Sequence, residues 1–133
     1  MIAKAVEKHR SPQVSAMEKI FEQALLYDFY GELLTEHQKS IYEDAVYNDM
    51  SLGEIAEEHG ISRQGVHDLL RRCDRILQDY EAKLHLVERF AIAKGKIQEI
   101  ERLTQRDAQE SDAVIDACMQ RIKELARQLL DEL

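Results

Sequence analysis

One stretch of the chain, residues 62–77, concentrates side chains that suit contact with nucleic acid. Arg63 matches the paired acceptors of a guanine edge, and Gln64 matches the donor and acceptor of an adenine edge. The arginines further along suit phosphate oxygens or an acidic protein partner. Together the candidate contact residues are Ser62, Arg63, Gln64, His67, Arg71, Arg72 and Arg75. The alternative is that these arginines merely form a solvated helix face.

These residues need two short helices to position them, and the sequence predicts both. Residues 51–54 (SLGE) form a capping-box pattern that opens a short helix with an inner face of Leu52, Ile55 and Ala56. Gly60 suits the left-handed conformation of a tight turn, and Ser62 is a ready N-cap for the next helix. The pattern predicts a helix-turn-helix unit, against the alternative of an αα-corner in an ordinary bundle.

The helix that carries the candidate contacts has its own predicted inner face. Its members follow the helical period and are Val66, Leu69, Leu70, Cys73 and Leu77. Gly65 costs such a helix about 0.5–1 kcal/mol relative to alanine. We expect this glycine either to permit close approach of a partner or to be simply tolerated.

The rest of the chain also reads as helical, because it holds one proline and five glycines and shows no sustained two-residue alternation. A first helix is predicted over residues 15–30, with an apolar stripe of Ile20, Phe21, Ala24, Leu25 and Tyr27. Residues 35–38 (TEHQ) form another capping box. The fold class is therefore all-α, a helix-turn-helix domain with a C-terminal helical extension.

Three segments follow from this organisation. Residues 1–16 are predicted to be a flexible extension, with Met17 an alternative natural start, and residues 17–90 form the helix-turn-helix domain. Residues 91–133 are a C-terminal segment with a 3-4-3-4 seam made of Ile115, Cys118, Ile122, Leu125 and Leu129. The seam either packs on the protein's own first helices or pairs with a second copy, and we favour a homodimer.

Charge constrains the partners of this protein. The chain carries 18 Lys+Arg against 26 Asp+Glu, for a formal charge of −8. Residues 17–50 hold eight acidic and two basic side chains, whereas residues 62–77 hold four arginines against two aspartates. Because nucleic-acid binding by counterion release needs a positive surface, any such contact is predicted to use the helix of residues 62–77.

Several other functions have no supporting pattern. No secretory signal or membrane span is found, so a cytoplasmic protein is expected. The two cysteines, Cys73 and Cys118, form no CxxC pair and are predicted to be reduced packing residues. The five histidines form no HExxH or i,i+4 pair, and no phosphate-binding or nucleophile motif occurs. We therefore predict no metal, no cofactor and no enzymatic activity.

Residues 24–90 resemble the YlxM family, small bacterial helix-turn-helix proteins associated with the signal recognition particle. The segments that carry the resemblance are DFY at 28–30, LTEHQ at 34–38, EIA at 54–56, ISRQ at 61–64 and DYE at 79–81. The middle of the chain is also similar, more broadly, to region 4 of sigma factors. Residues 1–16 and the region after Arg102 match neither pattern and inherit no function from the likeness.

The resemblance implies an accessory or regulatory protein of the signal recognition particle pathway. Its candidate partners are DNA, the particle's RNA and the particle's GTPase. Two alternatives remain open: a sequence-specific DNA-binding transcription regulator that uses the same helix, and a protein–protein adaptor whose acidic residues 17–50 dock a basic partner.

Overall fold

The protein folds as a succession of helices. The structure is a computed structural model that describes the backbone of residues 12–105 and 109–133, and the side chains from Met17 onward in those ranges. The helices are α1 (Pro12–Tyr30), a short 3-10 helix (Gly31–Leu33), α2 (Glu36–Val46), α3 (Leu52–His59), α4 (Arg63–Leu84), α5 (Leu86–Thr104) and α6 (Asp112–Glu132). The described ranges contain no strand, which confirms the all-α prediction.

The chain divides into two compact units, the first ending at Val87 and the second running from Glu88 to Leu133. Of the predicted flexible extension, residues 1–16, the first eleven residues lie outside the described part of the chain. From Pro12 onward its backbone belongs to α1, which begins ahead of the predicted residue 15.

Helix α4 is the centre of the first unit and packs against α1, α2 and α3. Its predicted inner face is confirmed: Val66, Cys73 and Leu77 are fully buried, and Leu69 and Leu70 are half-buried between two core clusters. One cluster joins α4 to α1 and α2 through Leu26, Leu34, Tyr30 and Tyr42. The other joins α4 to α2 and α3 through Ile41, Ile55 and Ala56.

The predicted apolar stripe of α1 is partly wrong. Ile20 and Phe21 are 51% and 71% exposed, whereas Leu26 and Tyr30, which the stripe omitted, are buried. The reason is that α1 meets α4 mainly through its C-terminal half. The face that meets α4 is rotated by about one residue from the predicted apolar stripe. On that face Gln23 also points toward α4 and bonds to Asp74.

Side chains cap the helices as the sequence predicts, with one difference. Thr35 accepts the backbone N–H of Gln38, whose amide oxygen accepts the Thr35 N–H, so this capping box is complete. Ser51 accepts the Glu54 N–H at 3.1 Å, but the Glu54 carboxylate accepts the Ser51 hydroxyl rather than the backbone N–H. Only half of the predicted second box is therefore present.

The junction between α4 and α5 is capped from α1. His85 ends α4 in the left-handed conformation, with φ +56°. The Tyr30 hydroxyl accepts the Leu86 N–H at 3.1 Å, and the Glu81 carboxylate accepts the Val87 N–H at 2.9 Å. These two acceptors satisfy N–H groups that the start of a helix leaves without backbone partners.

In the second unit, α5 and α6 are joined by ion pairs and hydrogen bonds. Arg121 bonds Glu99 at 3.0 Å, and Glu132 bonds Lys96 through its carboxylate and Arg89 through its carbonyl oxygen. The predicted seam of α6 is turned inward: Leu125 is 1% exposed and its other members are half-buried. In the part of the chain that the structure describes, no helix combines the length and apolar character that crossing a membrane needs.

Candidate nucleic-acid interface

The helix-turn-helix unit consists of α3, a short turn and the first half of α4. Gly60 ends α3 with φ +66° and ψ +32°, the left-handed conformation that the sequence predicted for this turn. Ser62 then starts α4 by accepting the Gly65 N–H at 2.9 Å. The turn geometry follows from these two residue types, because glycine adopts positive φ without a steric penalty and serine caps a free N–H.

The two helices of the unit share one apolar wedge. Ile55 and Val66 are fully buried, Ala56 is 8% exposed, and Ile61 packs beside them from the turn. Ile41 of α2 completes the cluster. The wedge fixes the start of α4 against two other helices, which holds its exposed side in a defined orientation.

A hydrogen bond between two helices adds a polar link beside the turn. His59 at the end of α3 contacts Asp44 of α2, with 2.9 Å between Nε2 and Oδ2, and Asn48 donates to the other carboxylate oxygen at 2.9 Å. The His59 and Asn48 hydrogen bonds hold the pKa of the Asp44 carboxyl below its usual range. Sequence reasoning missed this pair because the two residues lie on different helices.

All seven predicted contact residues are exposed, six of them on α4 and Ser62 at its N-cap. Successive residues on an α-helix turn by about 100°, which puts Gln64, Arg71 and Arg75 near the middle of the side opposite the buried Val66 and Cys73. His67 and Arg63 lie toward one flank and Arg72 toward the other. The structure thus brings six of the predicted residues together on the outward half of α4, which we call the α4 outer face, whereas the Ser62 hydroxyl caps the helix.

The two aspartates of this segment have opposite placements. Asp74 points inward, where it accepts the Tyr42 hydroxyl at 2.7 Å and the Gln23 amide at 3.0 Å. Asp68 stays on the α4 outer face and accepts the Gln64 amide at 3.0 Å. Within residues 62–77 the outer face therefore carries four arginines against one aspartate, a larger positive excess than this segment shows as a sequence, and the exposed Asp79 follows one turn later.

Three of these arginines surround a shallow open depression on the helix. Its lining is Asp68, Arg71, Arg72 and Arg75. These three arginines lie between two and four turns from the helix N-terminus, and no hydrogen bond or ion pair among the described residues engages them. A guanidinium presents five N–H donors and stays charged, so this arrangement is suited to phosphate oxygens.

Gly65 has a local role in the structure. A Cβ at this position would lie 3.0 Å from the Ser62 Oγ, and no other atom comes within 4 Å. The absence of a side chain thus relieves crowding against the N-cap hydroxyl. It also leaves the outside of the first turn of α4 open.

One cluster of possible metal ligands and one buried thiol also lie in the first unit. Among the residues with described side chains, one group has metal-ligand geometry, formed by Asp44, Glu58 and His59 with ligand atoms within 4.8 Å of one another. Two of these three already pair with each other. Burial raises the pKa of the Cys73 thiol to about 11, so this cysteine is a protonated packing residue, as the sequence predicted.

Tyrosine hydroxyls donate to two carboxylates of the acidic segment, residues 17–50. Tyr47 donates to Asp28 at 2.6 Å, and Tyr27 donates to Glu43. Burial and the Asp28 hydrogen bond raise the pKa of Tyr47 to about 12, so this tyrosine stays a donor. Sequence reasoning counted these acids only as surface charge; both are exposed in the structure, and each also accepts a tyrosine hydroxyl.

Comparisons with known proteins match this arrangement. The sequence profile of one family, UPF0122, described as "Putative helix-turn-helix protein, YlxM / p13 like", matches residues 17–118. A UPF0122 protein from Shouchella clausii is 39% identical over 102 residues, covering 77% of this chain and 89% of that protein. One from Acetivibrio thermocellus is 50% identical over 84 residues, covering 63% and 72%. One from Bacillus licheniformis is 42% identical over 102 residues, covering 76% and 94%.

Proposed function

The chain belongs to the UPF0122 family of YlxM/p13-like helix-turn-helix proteins, and from that premise we propose that it is a nucleic-acid-binding accessory or regulatory protein of the signal recognition particle pathway. The α4 outer face is its contact surface. The observation that carries the proposal is the inward turn of Asp74, which leaves the four arginines of residues 62–77 opposed by Asp68 alone within that segment of the face.

The two ends of the face have different roles in this proposal. Ser62, Arg63, Gln64 and His67 lie at the helix N-terminus, the end that a recognition helix presents to base edges. Arg71, Arg72 and Arg75 follow on the next turns and bind backbone phosphates. The Gln64 amide donates one N–H to Asp68, which leaves its second N–H and its carbonyl oxygen available to a base edge.

The overall charge of −8 limits how such a protein binds. Repulsion between phosphates and the acidic remainder of the chain weakens non-specific attachment. A partner must therefore present its phosphates to the α4 outer face in a suitable shape. The folded RNA of the particle offers such a shape, and the particle's GTPase is the candidate protein component beside it.

A sequence-specific DNA-binding regulator is the second candidate function. It is favoured by the exposure of Arg63 and Gln64 in the first turn of α4, where helix-turn-helix proteins read the major groove. The Arg63→Ala substitution separates the two candidates. For a DNA reader this change relaxes the choice of duplex sequence, whereas binding to the particle RNA depends more on Arg71 and Arg75.

The adaptor alternative has weaker support. Asp28, Glu43 and Asp44 of the acidic segment are already bonded to Tyr47, Tyr27 and His59, and Lys39 bridges Glu32 and Glu36. These contacts fix the carboxylates within the chain, although the neutral tyrosines leave the charges of Asp28 and Glu43 in place. We expect the chain to act in the cytoplasm as a binding protein rather than as an enzyme.

A capture experiment tests the choice of partner. A bacterial lysate is divided into two halves, and one half is treated with nuclease. The immobilised parent protein and the immobilised variant Arg71→Ala/Arg75→Ala are each incubated with both halves. A matched control, Lys94→Ala/Arg102→Ala, removes two exposed charges of the second unit. We expect particle RNA to be captured by the parent and the control but not by the variant. Capture of the same proteins from both halves by all three chains, with no RNA, would overturn the proposal.

A further inference from the structure

Helix α6 has a second surface in addition to its buried seam. The seam, centred on Leu125, is turned into the protein. By the helical repeat a different face of α6 presents Met119, Ala126 and Leu130 to solvent, and Met119 and Leu130 are 44% and 70% exposed. An exposed apolar strip beside an already filled seam needs a separate explanation.

Charged residues follow this strip in an ordered pattern. Asp112 and Asp116 lie on its N-terminal half, and Lys123 and Arg127 lie on its C-terminal half. The steps between them are four, seven and four residues, so all four lie along one edge of the helix. All four side chains are exposed, and no ion pair within the described ranges of the chain involves any of them.

From this pattern we propose that the exposed face of α6 binds the same face of a second copy of this chain, with the two α6 helices antiparallel. A two-fold axis between Met119 and Gln120 puts Asp112 opposite Arg127 of the other copy and Asp116 opposite its Lys123. Both pairs form at the same register because their residue numbers are symmetric about that axis. A two-fold interface repeats each contact, which gives four complementary pairs around the Met119 strip.

The order of charges along α6 favours antiparallel packing and a second copy of the chain as the partner. Parallel packing sets aspartates against aspartates and basic residues against basic residues, which is unfavourable. Antiparallel packing turns the same residues into attractive pairs and buries Met119 and Ala126 between the helices. The face is self-complementary in charge and in apolar content, so a second copy is the occupant that fits it.

Charge reversal gives a direct test with the full-length chain. The parent is expected to associate more strongly as its concentration rises in sedimentation velocity. Lys123→Glu/Arg127→Glu makes the edge wholly acidic and weakens self-association by ~10-fold or more. Asp112→Asn/Asp116→Lys makes it basic, with the same result, while asparagine keeps the first position of α6 polar. A 1:1 mixture of the two variants is expected to form a heterodimer.

An exchange within one chain tests the register. Asp116→Lys alone is expected to weaken association, and Asp116→Lys/Lys123→Asp is expected to restore it, because each lysine then faces an aspartate of the other copy. Helix content by circular dichroism establishes that each variant is folded. A matched control, Arg71→Glu/Arg75→Glu on α4, is expected to leave self-association unchanged.

Three results would overturn the proposal. The first is a parent chain that is monomeric at every concentration. The second is an acidic-edge or basic-edge variant that associates as tightly as the parent. The third is a 1:1 mixture of these two variants that forms no heterodimer. Loss of nucleic-acid binding by the α4 control with unchanged self-association supports both proposals separately. Unchanged nucleic-acid binding by that control overturns the proposed function alone.

Discussion

Asp74 of α4 accepts the hydroxyl of Tyr42 from α2, with 2.7 Å between the oxygens, inside the first unit. This contact removes one of two negative charges from the outside of residues 62–77. Tyr42 itself is fully buried, and burial and the Asp74 bond raise its pKa, so it remains a protonated donor. A hydrogen bond to a buried tyrosine therefore determines which side of α4 this carboxylate occupies.

The first prediction concerns this pair. Tyr42→Phe removes the hydroxyl and leaves the half-buried Asp74 carboxylate with only Gln23 as a partner. We expect the free energy of unfolding to fall by about 1–3 kcal/mol, measured by urea denaturation. Tyr47→Phe is the control, because Tyr47 is 48% exposed and water replaces its bond to Asp28. Equal losses in the two variants would contradict the special role of Tyr42.

The second prediction concerns the turn. Gly60→Ala places a Cβ on a residue with φ +66°, and we expect a loss of about 1–2 kcal/mol in thermal unfolding. Gly53→Ala is the matched control inside α3, where the nearest atom to a new Cβ is the Ser51 Oγ at 3.9 Å. That change is expected to be neutral or stabilising by ~0.5–1 kcal/mol. A destabilised Gly53→Ala beside an unaffected Gly60→Ala would contradict the observed turn.

The third prediction is a pH dependence from Asp44 and His59. Because the native pKa of Asp44 is lowered, its ionised form stabilises the fold above its unfolded pKa of about 4. That contribution is lost as the pH falls through the lower native pKa. In urea denaturation, Asp44→Asn is expected to be less stable than the parent by about 1–2 kcal/mol near neutral pH. The difference should shrink as the pH is lowered below about 4; a difference that is constant with pH would contradict the assignment.

Much of this fold is local in origin and follows from the sequence. Thr35, Ser51, Gly60 and Ser62 each act on N–H groups or dihedrals within a few residues, and each has its predicted role in the structure. The helical spacing of Val66, Cys73 and Leu77 likewise predicted the buried inner face of α4. These features depend on the chain nearby and not on how helices pack.

The differences between the predicted and the observed positions of side chains come from packing between helices. The exposed position of Phe21 and the buried position of Leu26 depend on which side of α1 meets α4, and both sides of α1 carry apolar residues. The inward turn of Asp74 depends on Tyr42 from a different helix. The predicted domain limits, the homodimer and the likeness to sigma factor region 4 stay predictions.

The central claim is that the α4 outer face binds phosphates. The most direct measurement is the affinity for particle RNA at several salt concentrations, compared between the parent, Arg71→Glu/Arg75→Glu and the equally charged control Lys94→Glu/Arg102→Glu. We predict that the α4 variant loses most of its affinity. Its slope of log affinity against log salt should flatten by about 1–2, while the control keeps the parent's slope. Equal affinities and slopes for the α4 variant and the parent would contradict the account.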